Sequence, residues 1–547
     1  MAKENSSNQN DELAESILAR LSDLEGARST WQSHWDEIAR VVSPRDEEFF
    51  RQRTPGEKRT ENMYDSTAPL ALGRFASVMD SLFTPRDQTY QRLQSNIPEL
   101  MKMDNVRVWF DSVTDAIFKM RYNPRAGFAG QMVEVWRSTG AFGTSPMMVN
   151  DKPGFGTTYK TMHLSNAYIT ESESGLIDSI YIKVNLTVKQ AVQRYGKENL
   201  PEAVLGKINS QPNEKIEFVQ FIGPNDDFDP ESNASDKMKF RSIHVAVMEK
   251  KIVKKGGFRV FPVPVSRAET SPNEIYGRSP AMIVLPNIKM LNQMKKSNIR
   301  MAHKNMDPII LMKDDGAINR ADMRPGHVIV GGLDPKGVPN VQPYNPGGNL
   351  VIDNEMMEIE RATIERSFLN DIFIMAQDRE MTATEVMHRA KEQAMLLSSF
   401  SGKQESEFLS QLIEIEMDNL QVSGKLPPMP PELIEAEGEW EAVYTGPTAR
   451  SRKAEEAIGS QQVFQAAIEA SNFIPEILDK VNGDEYLEII REAGGAPNKL
   501  LNSDEEVAEI RELRNQAELE QQDAENIQGV TQAGLNVAKV QEMAGAE

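Results

Sequence analysis

Two long amphipathic segments of opposite charge flank a stretch rich in proline and glycine, and this pattern constrains the fold more than any other. From Pro286 to Met306 every charged residue is basic, whereas residues 350–373 carry six acidic residues against two arginines. Residues 307–349 between them hold six prolines and seven glycines. We therefore expect two long helices joined by a compact β insert, because proline and glycine interrupt helical periodicity.

The first segment predicts a helix over 280–306, here called the basic helix. Ser279 followed by Pro280 is a typical helix start, with a serine cap and proline in the first turn. Pro286 predicts a kink or a restart of the helix. Four cations fall within about 80° on a helical wheel, and they are Lys289, Lys296, Arg300 and Lys304.

The second segment predicts a helix over 350–373, here called the acidic helix, with a net charge of −4. Its acids include Glu358 and Glu365, which are candidate partners for the cations of the basic helix. Two interpretations remain open. The helices are ordinary amphipathic helices with solvated polar faces, or they pair by charge, within one chain or around a ring of chains.

Upstream of the basic helix, the hydrophobic period changes from that of helices to that of strands. Apolar residues at steps of three, four and seven predict helices over 11–42, 63–82, 106–120 and 128–139. Farther along, a period near two predicts antiparallel strands at 180–184, 216–221, 243–247 and 258–265, with a helix within 188–209. The predicted class is α+β and mainly helical, and the polar residues 1–10 are expected to be disordered.

The sequence after the acidic helix is polar and then helical again. Residues 374–381 show no apolar periodicity and include Gln377, Asp378, Arg379 and Glu380. Thr382 and Glu385 form a capping-box pattern, which predicts a long helix to about residue 422. Residues 451–492 also read as helical. The acidic stretch 502–547 predicts either a solvated helix or part of an oligomeric helical barrel, because its apolar stripe is thin.

Several classes of protein are disfavoured by what the sequence lacks. It has no cysteine, so it offers neither disulfides nor thiolate metal ligands. It lacks the phosphate-loop, zinc-protease and serine-hydrolase motifs, and its six histidines show no metal-ligand spacing. No apolar run is long enough to span a membrane, and the polar start does not resemble a signal peptide. The net charge of −21 also disfavours tight non-specific binding to duplex DNA.

Five short motifs, each found once and in a fixed order along the chain, resemble those of a known family. They are Trp31-x-x-x-Trp35, Tyr64-Asp65-Ser66-Thr67-Ala68, Leu82-Phe83-Thr84-Pro85, Tyr276-Gly277-Arg278-Ser279-Pro280 and Met381-Thr382-Ala383-Thr384-Glu385. In this order, from about residue 15 to 460, the chain resembles the portal (head-to-tail connector) proteins of short-tailed bacteriophages. The motifs are specific in combination, although none is specific alone.

The resemblance implies a homododecameric ring at one vertex of a virion, through which double-stranded DNA is packaged and ejected. It divides the chain into a wing (11–279), stem helices (280–306 and 350–373), a clip (307–349), a channel loop (374–381), a wing helix and return (382–450) and a helical crown or barrel (451–547). Gln377, Asp378, Arg379 and Glu380 would then face DNA. The stem cations would either contact phosphates weakly or be neutralised by neighbouring acids.

The resemblance also implies partners and a location. The partners are terminase at the clip, a tail adaptor, and the major capsid and scaffolding proteins, with assembly in the host cytoplasm. No enzymatic activity, cofactor, metal or membrane is expected, so a packaging ATPase would be a separate protein. Two alternatives of other classes remain, which are a non-viral helical interaction scaffold and a nucleic-acid enzyme with a dispersed carboxylate site.

Overall fold

The computed structural model describes residues 2–50, 54, 56–61, 63–152, 154–232, 234–306, 310–312, 333–343, 350–369, 400–436, 440–471, 473–494, 500–502 and 506–519. The chain forms two compact units, one made of residues 1–86 and 120–419, the other of residues 87–119 and 420–547. Helices and antiparallel sheets are both present, and helices predominate, which confirms the predicted α+β class.

The helices agree with most of the sequence predictions. In chain order the α-helices are Ala2–Ala27, Ser29–Val41, Thr67–Phe83, Pro98–Met101, Asp104–Arg121, Phe128–Phe142, Val188–Tyr195, Glu202–Leu205, Pro280–Met306, Leu350–Ser367, Ser410–Val422, Pro431–Glu435, Pro447–Ser471 and Gly483–Gly494. Shorter 3₁₀ turns are Pro44–Asp46, Leu164–Asn166 and Pro475–Lys480, and a π-helical turn spans Gln404–Leu409. Residues 400–403 and 506–519 are also helical.

The strands form four sheets among the described residues. They are Gln91–Ser95, Thr144–Lys152, Gly156–Thr161, Ala167–Glu171, Ile177–Thr187, Lys215–Pro224, Phe240–Ala246, Lys251–Phe258, Val265–Arg267, Ile310–Met312, Val341–Pro343 and Trp440–Tyr444. The largest sheet has five antiparallel strands in sequence order, from Ala167–Glu171 to Lys251–Phe258. It includes the strands predicted around residues 180, 216 and 243.

Helices cover both faces of this five-stranded sheet. On one face Ile17 and Leu21 of the first helix pack against Tyr181, Val219 and Phe221. A second core on the sheet is built around helix Val188–Tyr195 and includes Phe218 and Ala246. Because side chains alternate along a strand, neighbours such as Phe218 and Val219 enter different cores.

The first helix begins earlier than predicted. It starts at Ala2, so the expected disorder is wrong for residues 2–10. The polar residues before Asp11 have no apolar period, yet most are compatible with a helix, and the buried stripe beginning at Ala14 supports the turns that follow. The single helix predicted over 11–42 is divided into two, which meet at Arg28.

The strand predicted over 258–265 is also wrong. Strand Lys251–Phe258 ends where the prediction began, and only Val265–Arg267 forms a further strand. Between them, the carbonyls of Pro262 and Pro264 accept hydrogen bonds from the N–H groups of Val149 and Met147, both at 3.0 Å. Proline has no N–H to donate in return, so the segment lies beside strand Thr144–Lys152 without completing a regular ladder there.

The insert between the two long helices contains strands, as predicted. Ile310–Met312 and Val341–Pro343 pair antiparallel, with Ile310 opposite Pro343. Residues 313–332 and 344–349 of the insert lie outside the described residues.

The second unit contains a strand pair that the sequence did not predict. Gln91–Ser95 pairs antiparallel with Trp440–Tyr444. Tyr90 packs edge-on against Phe118 with ring centroids 4.9 Å apart, and the rings of Phe464 and Tyr486 stack at 4.3 Å. The region predicted as helical over 451–492 contains two helices, Pro447–Ser471 and Gly483–Gly494, which are separated by a 3₁₀ turn.

Candidate assembly site on the helix pair

The basic helix starts at a rigid anchor on the core. The Ser279 hydroxyl accepts a hydrogen bond from the Met282 N–H at 3.1 Å and donates one to the Ala141 carbonyl at 2.8 Å. The predicted serine cap is therefore confirmed. A Cβ atom added to Gly143 would lie 2.1 Å from the Gly277 carbonyl oxygen, so the two backbones cross at a distance that only glycine permits.

Aromatic rings support the same anchor. Tyr276 packs edge-on against Trp35, with ring centroids 5.1 Å apart, and tilts against Trp31 at 6.0 Å. Its hydroxyl accepts from the Ile169 N–H at 3.4 Å. Burial raises the pKa of Tyr276, so the phenol stays neutral. The start of the basic helix is thus held by a buried aromatic cluster. The Arg28 guanidinium packs against this cluster, 5.6 Å from the ring centroid of Trp35 and 5.8 Å from that of Tyr276.

The basic helix continues to Met306 with Pro286 inside it, so the helix does not restart there. The proline is exposed while Leu285 and Ile288 beside it are buried. We infer that packing on the buried side compensates for the hydrogen bond that Pro286 cannot donate. The acidic helix is shorter than predicted, because it ends at Ser367 and Leu369 adopts a left-handed φ of 58°. Residues 370–373 lie outside the described residues.

The two helices form an antiparallel pair. The Ser367 hydroxyl donates to the Pro280 carbonyl at 3.3 Å, and the Asn287 amide donates to Glu360 at 2.8 Å. Thus the end of one helix meets the start of the other. Both helices contribute buried apolar side chains, which are Leu285, Ile288, Leu291, Met357 and Ile364, and Phe368 directly after the acidic helix is buried as well. We call Pro280–Met306 and Leu350–Ser367 together the helix pair.

The predicted cations of the basic helix lie in different surroundings. Lys289 forms an ion pair with Glu37 of helix Ser29–Val41, at 2.5 Å. The Lys296 ammonium lies 5.3 Å from the centroid of the Tyr64 ring. Arg300 and Lys304 are exposed and form no ion pair with any residue that the structure describes. Within the described ranges, the far half of the basic helix therefore presents two cations that no carboxylate neutralises.

The predicted acids pair with residues other than these cations. Glu358 contacts Arg361 of its own helix at 2.5 Å, and Glu365 lies 3.6 Å from Arg74. Across the described ranges, no ion pair links a cation of the basic helix to a carboxylate of the acidic helix. Within one chain, the described parts of the two helices therefore do not pair by charge. Charge pairing between neighbouring chains of a ring stays a prediction.

A short segment, residues 63–67, touches both helices of the pair. The Asn292 side-chain oxygen accepts from the N–H groups of Tyr64 and Asp65, at 2.6 and 3.3 Å. The Asp65 carboxylate accepts from Arg361 of the acidic helix at 2.7 Å and from the Thr67 hydroxyl at 2.5 Å. We call this segment the clamp.

The clamp stabilises the ionised form of Asp65. Burial alone would raise the pKa of Asp65, but hydrogen bonds from Thr67 and Arg361 outweigh burial and lower it. The hydrogen bond to Asp65 is also the main reason why the pKa of Arg361 is raised. Both side chains therefore remain charged at neutral pH, and their contact is a charge-assisted hydrogen bond.

Sequence reasoning noticed the Tyr64-to-Ala68 motif but did not find what it binds. Asn292 and Arg361 lie 228 and 296 positions away from the residues they contact. A buried triad was missed for the same reason. Glu416, fully buried, accepts from Arg121 at 2.6 Å and from the Tyr159 hydroxyl at 2.6 Å. In each case no local periodicity links the partners.

Several predicted site residues cannot be placed. Gln377, Asp378, Arg379, Glu380, Thr382 and Glu385 lie outside the described residues. Among the residues that are described, no helix is long and apolar enough to cross a membrane. Within the same ranges, no group of three or more acidic or histidine side chains is arranged to hold a metal ion.

Comparison with known proteins gives relatives along nearly the whole chain. The chain is 27% identical over 523 residues to a probable portal protein of Bordetella phage BPP-1, covering 91% of this chain and 90% of the relative. It is 24% identical over 513 residues to the portal protein of Salmonella phage epsilon15, covering 91% of each.

Two solved structures and a sequence family also match this chain. A chain in the virion of a native gene transfer agent particle matches at 11% identity with a TM-score of 0.34, covering 84% of this chain and 99% of that chain. A chain in the neck of an empty particle of this kind matches at 11% identity and a TM-score of 0.35, covering 82% and 95%. The family described as bacteriophage head to tail connecting protein matches residues 14–501. The chain therefore belongs to the bacteriophage head to tail connecting proteins.

Proposed function

We propose that this chain is a phage portal protein, which forms a homododecameric ring at one vertex of the capsid and conducts double-stranded DNA during packaging and ejection. The observation that carries the proposal is the match to the connector family over residues 14–501. Two relatives named as portal proteins, each covering 91% of this chain, support it.

The surface of the helix pair supports assembly into a ring. Ile283 and Ile359 are 66% and 64% exposed, and Met306 is 85% exposed. These exposed apolar side chains, on both helices of the pair, are the candidates for burial against another chain. Neighbouring copies of the same chain would cover them in a closed ring, because each copy offers the same surfaces.

The proposed parts of the portal follow the chain. The wing is 11–279, the stem is 280–306 and 350–373, which includes the helix pair, and the clip is 307–349, whose described strands pair as a small sheet. The channel loop is 374–381, the wing helix and return are 382–450, and the crown or barrel is 451–547.

The proposed partners are those of a connector between head and tail. Terminase would bind at the clip, a tail adaptor would attach to the ring, and capsid and scaffolding proteins would surround it during assembly in the host cytoplasm. DNA would pass without sequence-specific contacts. The net charge of −21 per chain fits this role, because a negative surface repels phosphates and favours sliding over binding. The work of packaging would come from a separate ATPase, and this chain would have no enzymatic activity.

Native mass spectrometry and negative-stain images of the purified chain test the proposal. We expect a closed ring with a central hole. An Ile359→Glu variant should lose the ring, because it places a charge on the surface that neighbours cover. A Met248→Glu variant is the matched control, since Met248 is also exposed, at 80%, but lies on the wing. A parent chain that stays monomeric or dimeric at micromolar concentration and moderate salt would refute the ring.

A further inference from the structure

The clamp and the anchor hold the helix pair at two separate points. The anchor lies at Ser279, directly before the first residue of the basic helix. The clamp holds Asn292, twelve residues after Pro280, which is about 18 Å along a helix that rises 1.5 Å per residue. The partly exposed ion pairs Lys289–Glu37 and Glu365–Arg74 also link the helix pair to neighbouring helices, and the clamp adds an attachment far from the anchor that limits the tilt of the pair.

The clamp also fixes the two helices together. Asn292 belongs to the basic helix and Arg361 to the acidic helix, and both bind Asp65 through different atoms. Asn292 accepts from the Asp65 backbone N–H, and Arg361 donates to the Asp65 carboxylate. The Asp65 side chain is only 9% exposed, so water competes little for these bonds. Through Thr67, the same carboxylate also binds the first residue of helix Thr67–Phe83.

We propose that the clamp sets the angle of the helix pair on the core and thereby the number of copies that close the ring. This inference rests on the proposed function. Neighbouring copies are related by a rotation of about 30° in a ring of twelve and about 28° in a ring of thirteen. A small change in this angle therefore changes the number of copies that close the ring. A movement of 1 Å at the clamp, about 18 Å from the anchor, tilts the pair by about 3°. The clamp is therefore placed where a small displacement selects between neighbouring ring sizes.

Asp65→Asn tests the clamp, with Asp80→Asn as its matched control. Both carboxylates belong to the region of helix Thr67–Phe83, accept from a threonine hydroxyl and lie near an arginine. For Asp80 these partners are Thr84 at 2.8 Å and Arg86 at 3.6 Å, both local in sequence. Only Asp65 reaches the helix pair. A comparison of the two variants thus separates the loss of a carboxylate beside a threonine and an arginine from the loss of the clamp.

A second pair of variants acts on the basic helix itself. Asn292→Ala removes the acceptor for the clamp backbone. Asn298→Ala lies on the same helix, where the Asn298 amide contacts the Met357 sulfur at 3.9 Å, and it leaves the clamp intact. Arg361→Gln provides a third clamp variant, in case Asp65→Asn does not fold.

Native mass spectrometry of the assembled rings is the measurement, because neighbouring ring sizes differ by one chain of 61.4 kDa. We expect one ring size for the parent, Asp80→Asn and Asn298→Ala. Asp65→Asn, Asn292→Ala and Arg361→Gln should spread over two or more adjacent sizes, while circular dichroism remains that of the parent. A role in stability alone would lower the yield of rings or the unfolding temperature without mixing ring sizes.

The outcomes separate this inference from the proposed function. Clamp variants that form the parental ring size alone would overturn the inference and leave the portal assignment intact. So would clamp variants whose only defect is a lower unfolding temperature. A parent chain that forms no ring would overturn the proposed function and the inference with it.

Discussion

At the scale of single residues, glycine determines how closely helices of the core approach. Helix Phe128–Phe142 contacts helix Thr67–Phe83 at Gly140, where an added Cβ would lie 2.6 Å from the Phe75 ring and 2.9 Å from Leu72. Gly130, in the same helix, has open space around its Cα. An added methyl group would therefore overlap neighbouring side chains at Gly140 but not at Gly130, although both residues lie in the same helix.

We expect Gly140→Ala to lower the free energy of unfolding by about 1–3 kcal/mol, because the methyl group overpacks a buried contact. Gly130→Ala should raise it by up to about 1 kcal/mol, since alanine favours the helix and no neighbour is displaced. Urea unfolding of both variants beside the parent checks the prediction. Equal effects of the two substitutions would show that the helix contact at Gly140 is not tight.

Residues with short-range signals could be predicted, and those with long-range partners could not. Ser279 was predicted as a cap because serine before proline is a local pattern, and the structure confirms it. Asp65 carried a motif but no local partner, so its contacts with Arg361 and the helix pair emerged only from the fold. The close approach of Gly143 to Gly277 joins two distant segments, so no local pattern predicts it.

At the scale of elements, the same limit applies to strands more than to helices. The basic helix was predicted with its observed bounds, because a helix closes its hydrogen bonds locally. The strand pair of Gln91–Ser95 with Trp440–Tyr444 was missed, since each strand is short and its partner is far away in the sequence. The error at 258–265 has a different cause, which is two prolines within an otherwise alternating segment.

The cations in the far half of the basic helix give a prediction for this element. Reversing Lys296, Arg300 and Lys304 to glutamate together should weaken ring formation if these cations meet acids of a neighbouring copy. Exposed ion pairs contribute only about 0.2–1 kcal/mol each, so single reversals should have little effect. Analytical ultracentrifugation across a range of salt concentrations measures the shift, which should shrink as salt screens the charges.

A control for net charge is available on the wing. Lys160, Lys189 and Lys197 are exposed, and reversing them changes the charge by the same amount. Reversals at Glu358 and Glu365 should restore assembly only in part, because these acids already contact Arg361 and Arg74. A triple variant that assembles like the parent but packages DNA poorly would instead place the three cations beside DNA.

At the scale of the whole molecule, the charge of the chain and its assembly are connected. A chain with a net charge of −21 repels its own copies, so the apolar surface of the helix pair must outweigh this repulsion when a ring forms. The exposed Ile283 and Ile359 lie on the element that would make those contacts. Assembly should therefore become more favourable as salt increases from low to moderate concentration, whereas contacts with DNA should weaken.

The last prediction concerns the proposed channel loop, residues 374–381. If its acids and Arg379 face the DNA path, replacing residues 376–380 with a Gly-Ser sequence of equal length should leave ring assembly intact and reduce the genome retained in particles. The reason is that a flexible uncharged loop can neither repel nor hold phosphates at a fixed position. Replacing residues 226–230, an acidic and largely exposed wing loop of the same length, is the control and should retain DNA normally. Quantification of full-length genome per particle distinguishes the two variants. If the 376–380 variant packages, retains and ejects DNA like the parent, the loop is only a connector between helices.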